Sequence, residues 1–264
     1  MFDGLRFAFG TLSVLRVRVH RWDRPTAGRA MLCAPLVGLV LGLLAAVPGV
    51  LLRVLGGGSL LAATACVAAL AGLTRGLHLD GLADVADGLG SNKPPAAALA
   101  VMKASDIGPF GVLTLVLALF AQTAALAQAF GDGARAGAFG VVLAAAAGRS
   151  ALLRGCLAGT PSARPDGLGA MVAGTVRRRY AVPVGLAVLA LFGALGWAAG
   201  GYGGAGVRPG LGAVLAALCG TACAARLLKR CTVRFGGITG DVLGAMVEAS
   251  ATAALVVWAL FAGS

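Results

Sequence analysis

Charge is scarce in this chain. Asp, Glu, Lys and Arg make up 12% of its 264 residues, and only ten residues are acidic. A soluble domain carries roughly 25% charged residues, so a water-exposed globule is excluded. Paired cysteines are absent too. The six cysteines, Cys33, Cys66, Cys156, Cys219, Cys223 and Cys231, contain no Cys-x-x-Cys. That spacing excludes the common zinc and dithiol motifs and leaves free thiols that fill small packing gaps. A cleavable signal peptide is not expected. The apolar run from Phe7 to Leu15 is short, and basic residues follow it where small cleavage-site residues belong. It reads as an amphipathic helix at the cytoplasmic surface.

Apolar residues fill the space that charge leaves. They make up 59% of the chain, with mean hydropathy +0.90 and 42 glycines. Charge-free runs extend over Ala30–Leu52, Val54–Thr74, Ile107–Gly131, Tyr180–Val207 and Pro209–Ala225. Two more are interrupted, Ala136–Gly159 by Arg149 and Arg154 and Val242–Gly263 by Glu248. Each run approaches or exceeds the ~20 residues of a spanning helix. Seven spans are therefore expected, in an all-α membrane bundle forming a single domain over residues 1–264, with 1–29 as a cytoplasmic amphipathic segment. Small residues let such helices approach closely.

The net charge of +12 has a pattern. Seventeen basic residues fall before the first span or in the segments after the second, fourth and sixth. Only Arg53, Arg135 and Arg208 fall in the alternate loops. This bias is the positive-inside signature and predicts a cytoplasmic N-terminus in a bacterial inner membrane. Topology thus accounts for the basic excess, and a nucleic-acid partner is not expected.

The few acids are placed informatively. Asp80, Asp84 and Asp87 lie in Gly76-Leu-His-Leu-Asp-Gly-Leu-Ala-Asp-Val-Ala-Asp-Gly88. Spacings of four and three put them on one helical face. Crowded carboxylates in a low-dielectric setting repel one another, and a divalent cation relieves the repulsion. Oxygen-only ligands suit Mg²⁺ or Mn²⁺, and the spacing differs from an EF-hand loop. The alternative is a solvated acidic helix end, against which stand the Leu, Ala, Val and Gly neighbours. A second pair, Asp241 and Glu248, follows the sixth span and also shares a helical face. A favourable position at a helix N-terminus would explain Asp241 alone. Glu248 lies two turns inside a span, where ionisable groups usually serve a function. The glycines Gly236, Gly237 and Gly240 offer backbone N–H groups to phosphate oxygens. Arg149, within a span, suits either a structural ion pair or a substrate contact. Lys103 and Arg164 are candidate phosphate contacts. These parts describe phosphoryl transfer at a membrane surface, with metal ions bridging a diphosphate.

His78-Leu-Asp-Gly-Leu-Ala-Asp-Val-Ala-Asp-Gly88 resembles the signature of the cobalamin synthase (adenosylcobinamide-GDP ribazoletransferase) family. Further stretches match in order: Ala34–Gly42, Val101–Gly111, Arg149, Ala163-Arg164 with Gly167–Gly169, and Gly236–Ala245. The chain departs from the family pattern at Ala104 and Asp106, at Ala251 and at Arg16. The resemblance implies Mg²⁺-dependent joining of adenosylcobinamide-GDP to α-ribazole or its 5′-phosphate, with release of GMP. By the same resemblance Asp80, Asp84, Asp87 and Asp241 are metal ligands. One of them, Asp84 foremost, or His78 accepts the hydroxyl proton. On an unbroken helix His78 points away from the aspartates, so that role requires a break at Gly81. Lys103, Arg149, Arg164, Gly237 and Thr239 are carried over as substrate contacts. Expected partners are the two small-molecule substrates and the lipid bilayer, with a homo-oligomer or other corrinoid-assembly enzymes left open. Two other functions compete. A CDP-alcohol phosphotransferase needs Arg after the motif's alanine, but Asp84 follows Ala83. A divalent-cation transporter would place its acids near mid-membrane in repeated halves, and no repeat is found.

Overall fold

The computed structural model describes residues 2–199 and 207–262. Among them run α1 (Phe2–Leu12), α2 (Arg24–Val54), α3 (Ser59–Leu73), α4 (Leu77–Gly90), α5 (Pro95–Val101) and α6 (Pro109–Gly131). They are followed by α7 (Ala134–Gly155), α8 (Gly167–Val172), α9 (Arg178–Ala199), α10 (Val207–Phe235) and α11 (Gly240–Ala259). Six of these helices are long and apolar enough to cross a membrane, and the bent pair α3–α4 makes up to seven. The protein is a polytopic helical membrane protein, as the charge-free runs predict. Part of the run Tyr180–Val207, residues 200–206, lies outside the described residues, as do Met1 and residues 263–264.

Several boundaries differ from the hydropathy reading, each for a local reason. The first span starts at Arg24, because Asp23 caps it by accepting a hydrogen bond from the Thr26 backbone N–H at 2.8 Å, with Pro25 in the first turn. The basic stretch Arg226–Arg234 is not a loop; it is the last part of α10, a helix of 29 residues. The N-terminal helix covers Phe2–Leu12 and is packed on protein, with Phe7 and Ala8 fully buried and Gly4 seated against the Arg29 backbone.

Small side chains set the depth of packing. Cβ atoms at Gly38 and Gly42 of α2 would come within 2.8 Å of the Ala146 and Val142 Cα atoms of α7. Backbones this close exchange side-chain volume for dispersion contact, which replaces the missing hydrophobic drive between helices in lipid. α7 and α11 are the most enclosed of the crossing helices after this packing, whereas α6 and α9 show Leu113, Val116, Leu117, Phe120, Val182 and Leu186 outward. An apolar exterior of that extent is a membrane-facing surface.

The end of the bundle at which α3 stops is elaborately tied. Thr74 closes α3, then Arg75 and Gly76 adopt left-handed backbone at φ 56° and 68°, and α4 leaves at 89° to α3. The Val14 N–H donates to the Leu73 carbonyl at 2.8 Å, the Ala158 N–H to Val176 at 2.7 Å, and Arg24 Nη2 to the Ala173 carbonyl at 2.6 Å. Arg234 reaches the Lys93 carbonyl. Loops from both halves of the chain therefore meet on one face.

We predict that Gly38→Leu lowers the melting temperature in detergent, reflecting at least about 1–3 kcal/mol of overpacking. Gly72→Ala, where nothing lies within 4 Å of the added carbon, should be silent. Equal melting of the two variants would show that the α2–α7 crossing does not need its glycines.

Candidate active site

The site begins where α4 and α11 cross. A Cβ at Gly81 would sit 2.7 Å from the Asp241 carbonyl oxygen and 3.0 Å from its Cα, and one at Gly244 would sit 3.2 Å from the His78 Cα. Gly81 is therefore not a helix break. It is the point at which the two acidic motifs touch backbone to backbone. The break lies earlier, at Arg75–Gly76, and α4 is continuous from Leu77.

Thr239 holds the entry of α11. Its hydroxyl accepts from the Val242 N–H at 3.2 Å as the helix N-cap and donates to Asp241 Oδ2 at 3.1 Å. The preceding turn pairs with the loop after α7. The Ile238 N–H donates to the Pro161 carbonyl and the Ala163 N–H to the Ile238 carbonyl, both at 2.9 Å. Gly237 permits that pairing, since a Cβ there would lie 2.7 Å from the Ala163 nitrogen. Its place is against protein backbone and not in the cavity wall. The pairing in turn positions Arg164, which donates through Nη2 to the Leu99 carbonyl at 2.8 Å and lies 3.5 Å from Asp241 Oδ2 through Nη1.

The four aspartates divide into two roles. Asp84 is half-buried, within electrostatic reach of Asp80, Asp87, Asp241 and the Arg164 guanidinium, and Asp80 and Asp241 also feel each other. The Asp80 and Asp84 carboxylates have no hydrogen-bonding partner among the described residues. Asp87 faces elsewhere. Its buried carboxylate accepts from the Gly108 N–H at 2.7 Å and from the Gly111 N–H at 2.9 Å, at the start of α6. Those amides are among the unpaired donors of a helix N-terminus, and the helix dipole favours a negative charge there. Spacing along one face thus concealed a capping carboxylate beside two free ones.

A cavity of about 380 Å³ opens at this crossing. Asp80, Asp241, Lys103, Arg164, Thr239 and His78 line it, so residues from both acidic motifs share one space, while Asp84, one turn along α4 from Asp80, does not line it. Sequence reasoning missed Asp166, which also lines the cavity, and the apolar wall of Leu12, Met31 and Leu152. Asp166 sits two residues after Arg164 at the head of α8, where an acid before Gly-Leu-Gly is a helix-entry signal.

Beneath the cavity lies a buried polar layer. Arg149 is 1% exposed and does not line the cavity; its Nη2 approaches His78 Nδ1 at 3.5 Å. A guanidinium has no lone pair to offer, so His78 Nδ1 must accept and Nε2 carries the hydrogen. His78 Nε2 is buried with no partner among the described residues. In this arrangement His78 presents a donor, and the carboxylates are left to act as bases. Glu248 stays two turns deeper and accepts from Gln122 Nε2 at 2.9 Å, and Gln122 also donates to the Thr252 hydroxyl. Gln122 carries no sequence signal that would single it out of an apolar helix.

Among the described residues no group of three His, Cys, Asp or Glu side chains is placed to hold a metal ion. The donor chemistry of Asp80, Asp84 and Asp241 still fits a hard divalent cation: oxygen-only and without competing hydrogen bonds at Asp80 and Asp84. Mg²⁺ is typically held by one or two carboxylates together with water and substrate phosphates, so an open arrangement suits it.

The bundle and its cavity define a polytopic membrane protein with a charged ligand site at one end of the helices. The family model described as cobalamin-5-phosphate synthase matches residues 4–259. An adenosylcobinamide-GDP ribazoletransferase of Frankia casuarinae is 44% identical over 97% of this chain and 94% of its own length. Proteins of the same description from Nocardioides sp. and Pseudomonas aeruginosa are 42% and 38% identical, over 98% and 97% of the chain and 99% and 97% of their own lengths. No solved structure matches. The chain belongs to the cobalamin-5-phosphate synthase family and is an enzyme, a membrane transferase of cobalamin biosynthesis.

We predict opposite stability effects for neighbouring aspartates in metal-free protein. Asp87→Asn should lower the melting temperature, reflecting about 1–3 kcal/mol, since an amide NH₂ then faces a backbone N–H. Asp84→Asn, which relieves crowding, should leave the melting temperature unchanged or raise it. Scanning fluorimetry in EDTA compares them, and equal losses would erase the division between capping and site carboxylates.

Proposed function

We propose that the enzyme transfers the adenosylcobinamide-phosphate group of adenosylcobinamide-GDP to a ribose hydroxyl of α-ribazole or of its 5′-phosphate. The products are adenosylcobalamin, or its phosphate, and GMP. The hydroxyl oxygen forms a bond to the phosphorus on the cobinamide side. The bond from that phosphorus to the bridging oxygen breaks, and the electron pair leaves with GMP. The observation that carries this reading is the meeting of Asp80 and Asp241 in one cavity with Arg164 and Lys103. The names of the relatives supply the substrates.

Asp80, Asp84 and Asp241 would hold Mg²⁺, with Mn²⁺ as a substitute, and the ion supplies charge neutralisation on the diphosphate and its leaving oxygen. Arg164, held by the Leu99 carbonyl, turns its remaining N–H groups toward a phosphate oxygen, and Lys103 lines the same cavity. Asp84, whose carboxylate has no hydrogen-bonding partner among the described residues, accepts the hydroxyl proton. His78, set by Arg149 as an Nε2–H donor, orients a substrate acceptor group. Leu12, Met31 and Leu152 supply a wall that excludes water from one side. The active site faces the cytoplasm of a bacterial cell, because the loops and helix ends that carry most of the basic residues lie at this end of the bundle.

Purified protein in detergent should release GMP only when adenosylcobinamide-GDP, α-ribazole and Mg²⁺ are all present. Release without α-ribazole would mark a hydrolase instead. Asp84→Asn should reduce turnover by at least about 10²-fold, within the range expected of a lost proton acceptor, with membrane insertion intact. Turnover like that of the unmodified enzyme would remove Asp84 from the site. His78→Gln, which retains a donor, should keep more activity than His78→Phe; the reverse order would remove the donor role.

A further inference from the structure

A second cavity, of about 670 Å³, lies on the other side of α7, between α7, α9 and α10. None of the residues assigned to the active site lines it. α9 and α10 touch backbone to backbone at Gly196 and Gly210, where a Cβ on Gly196 would meet the Pro209 carbonyl oxygen at 2.7 Å. The cavity occupies the space between their opposite ends and α7. Leu152 on α7 faces the active site, while Ala147, Ser150, Leu153 and Arg154 face this second space.

Its walls are apolar, with Val182, Val188, Leu189 and Leu218 among them, and Val182 and Leu218 continue onto the lipid-facing exterior. Two charges interrupt that surface. Arg154, in the last turn of α7, and Arg178, the first residue of α9, both line the cavity and are both exposed. Neither guanidinium has a hydrogen-bonding or ion-pair partner among the described residues. An unpaired cation beside a lipid-facing surface favours an anionic headgroup. Placed at the membrane-surface end of a greasy groove, two forked donors match a phosphodiester whose acyl chains lie in the groove. Basic pockets between spanning helices recognise anionic headgroups in this way. The volume also falls within the roughly 300–1,000 Å³ of ligand pockets.

We propose that this groove is a binding site for one anionic phospholipid, its phosphate on Arg154 and Arg178 and an acyl chain along α9 and α10. The lipid fills the wedge between α7 and the α9–α10 pair and holds that pair against the catalytic half of the bundle. The proposal is independent of the reaction assigned above.

Delipidated protein in a neutral detergent is titrated with phosphatidylglycerol, phosphatidylcholine or inorganic phosphate, and bound lipid is counted by native mass spectrometry alongside the melting temperature. Phosphatidylglycerol should bind once per chain and raise the melting temperature, whereas phosphatidylcholine and phosphate should do neither. Arg154→Gln and Arg178→Gln should each weaken retention about fivefold. Gly185→Leu should block the groove, because nothing lies within 4 Å of a Cβ at Gly185 and the new side chain meets no clash. Equal binding of phosphatidylcholine, stabilisation by phosphate alone, or undiminished retention by the double arginine variant would overturn the proposal. So would a dimer that occupies the groove in place of lipid. The comparison of lipids on the unmodified chain decides the matter even if a variant fails to fold.

Discussion

The close crossing of α4 and α11 is the constraint on which the catalytic end depends. Gly81 lies against the Asp241 backbone and Gly244 against His78, so neither helix can carry a side chain at the contact. Steric closeness of this kind fixes separation more tightly than a salt bridge, because repulsion rises steeply over a few tenths of an ångström. Two acidic motifs that begin on opposite halves of the chain are thereby held in one cavity. The loop pairing of Ile238 with Pro161 and Ala163 then adds Arg164 to the same space.

Electrostatically, the site is deliberately underpaired. Among the described residues Arg164 is the cation within reach of Asp84 and Asp241, and Lys103 lines the cavity beside Asp80. Such an imbalance costs stability in the free protein and favours ligands that bring positive charge or metal with them. The layer below is the reverse case. Arg149, His78, Glu248 and Gln122 are buried among apolar neighbours and partly satisfy one another. Arg149 Nε and His78 Nε2 remain buried without a hydrogen-bonding partner among the described residues.

The periphery is built on a different economy. α6 and α9 present Leu, Val and Phe outward. α9 is tied chiefly to α10 through Gly196 and Gly210, which leaves the groove beside α7 with its two arginines. A lipid there would act as a structural wedge, separate from the chemistry across α7.

Membrane residence, the helical class and the motifs that supply Asp80, Asp241, Lys103 and Arg164 were legible in the linear chain. Hydropathy depends on local composition over ~20 residues, and ligand type depends on side-chain chemistry, and both are properties of sequence alone. What each carboxylate meets is not. Asp80, Asp84 and Asp87 share a helical face by spacing, yet only Asp87 encounters the Gly108 and Gly111 amides of α6. The bend at Arg75–Gly76, the burial of Arg149 under His78 and the backbone pairing of Gly237 were likewise decided by tertiary structure. The physical reason is common to all of them: a hydrogen bond or a steric contact between segments far apart in the chain depends on distances that no local pattern encodes.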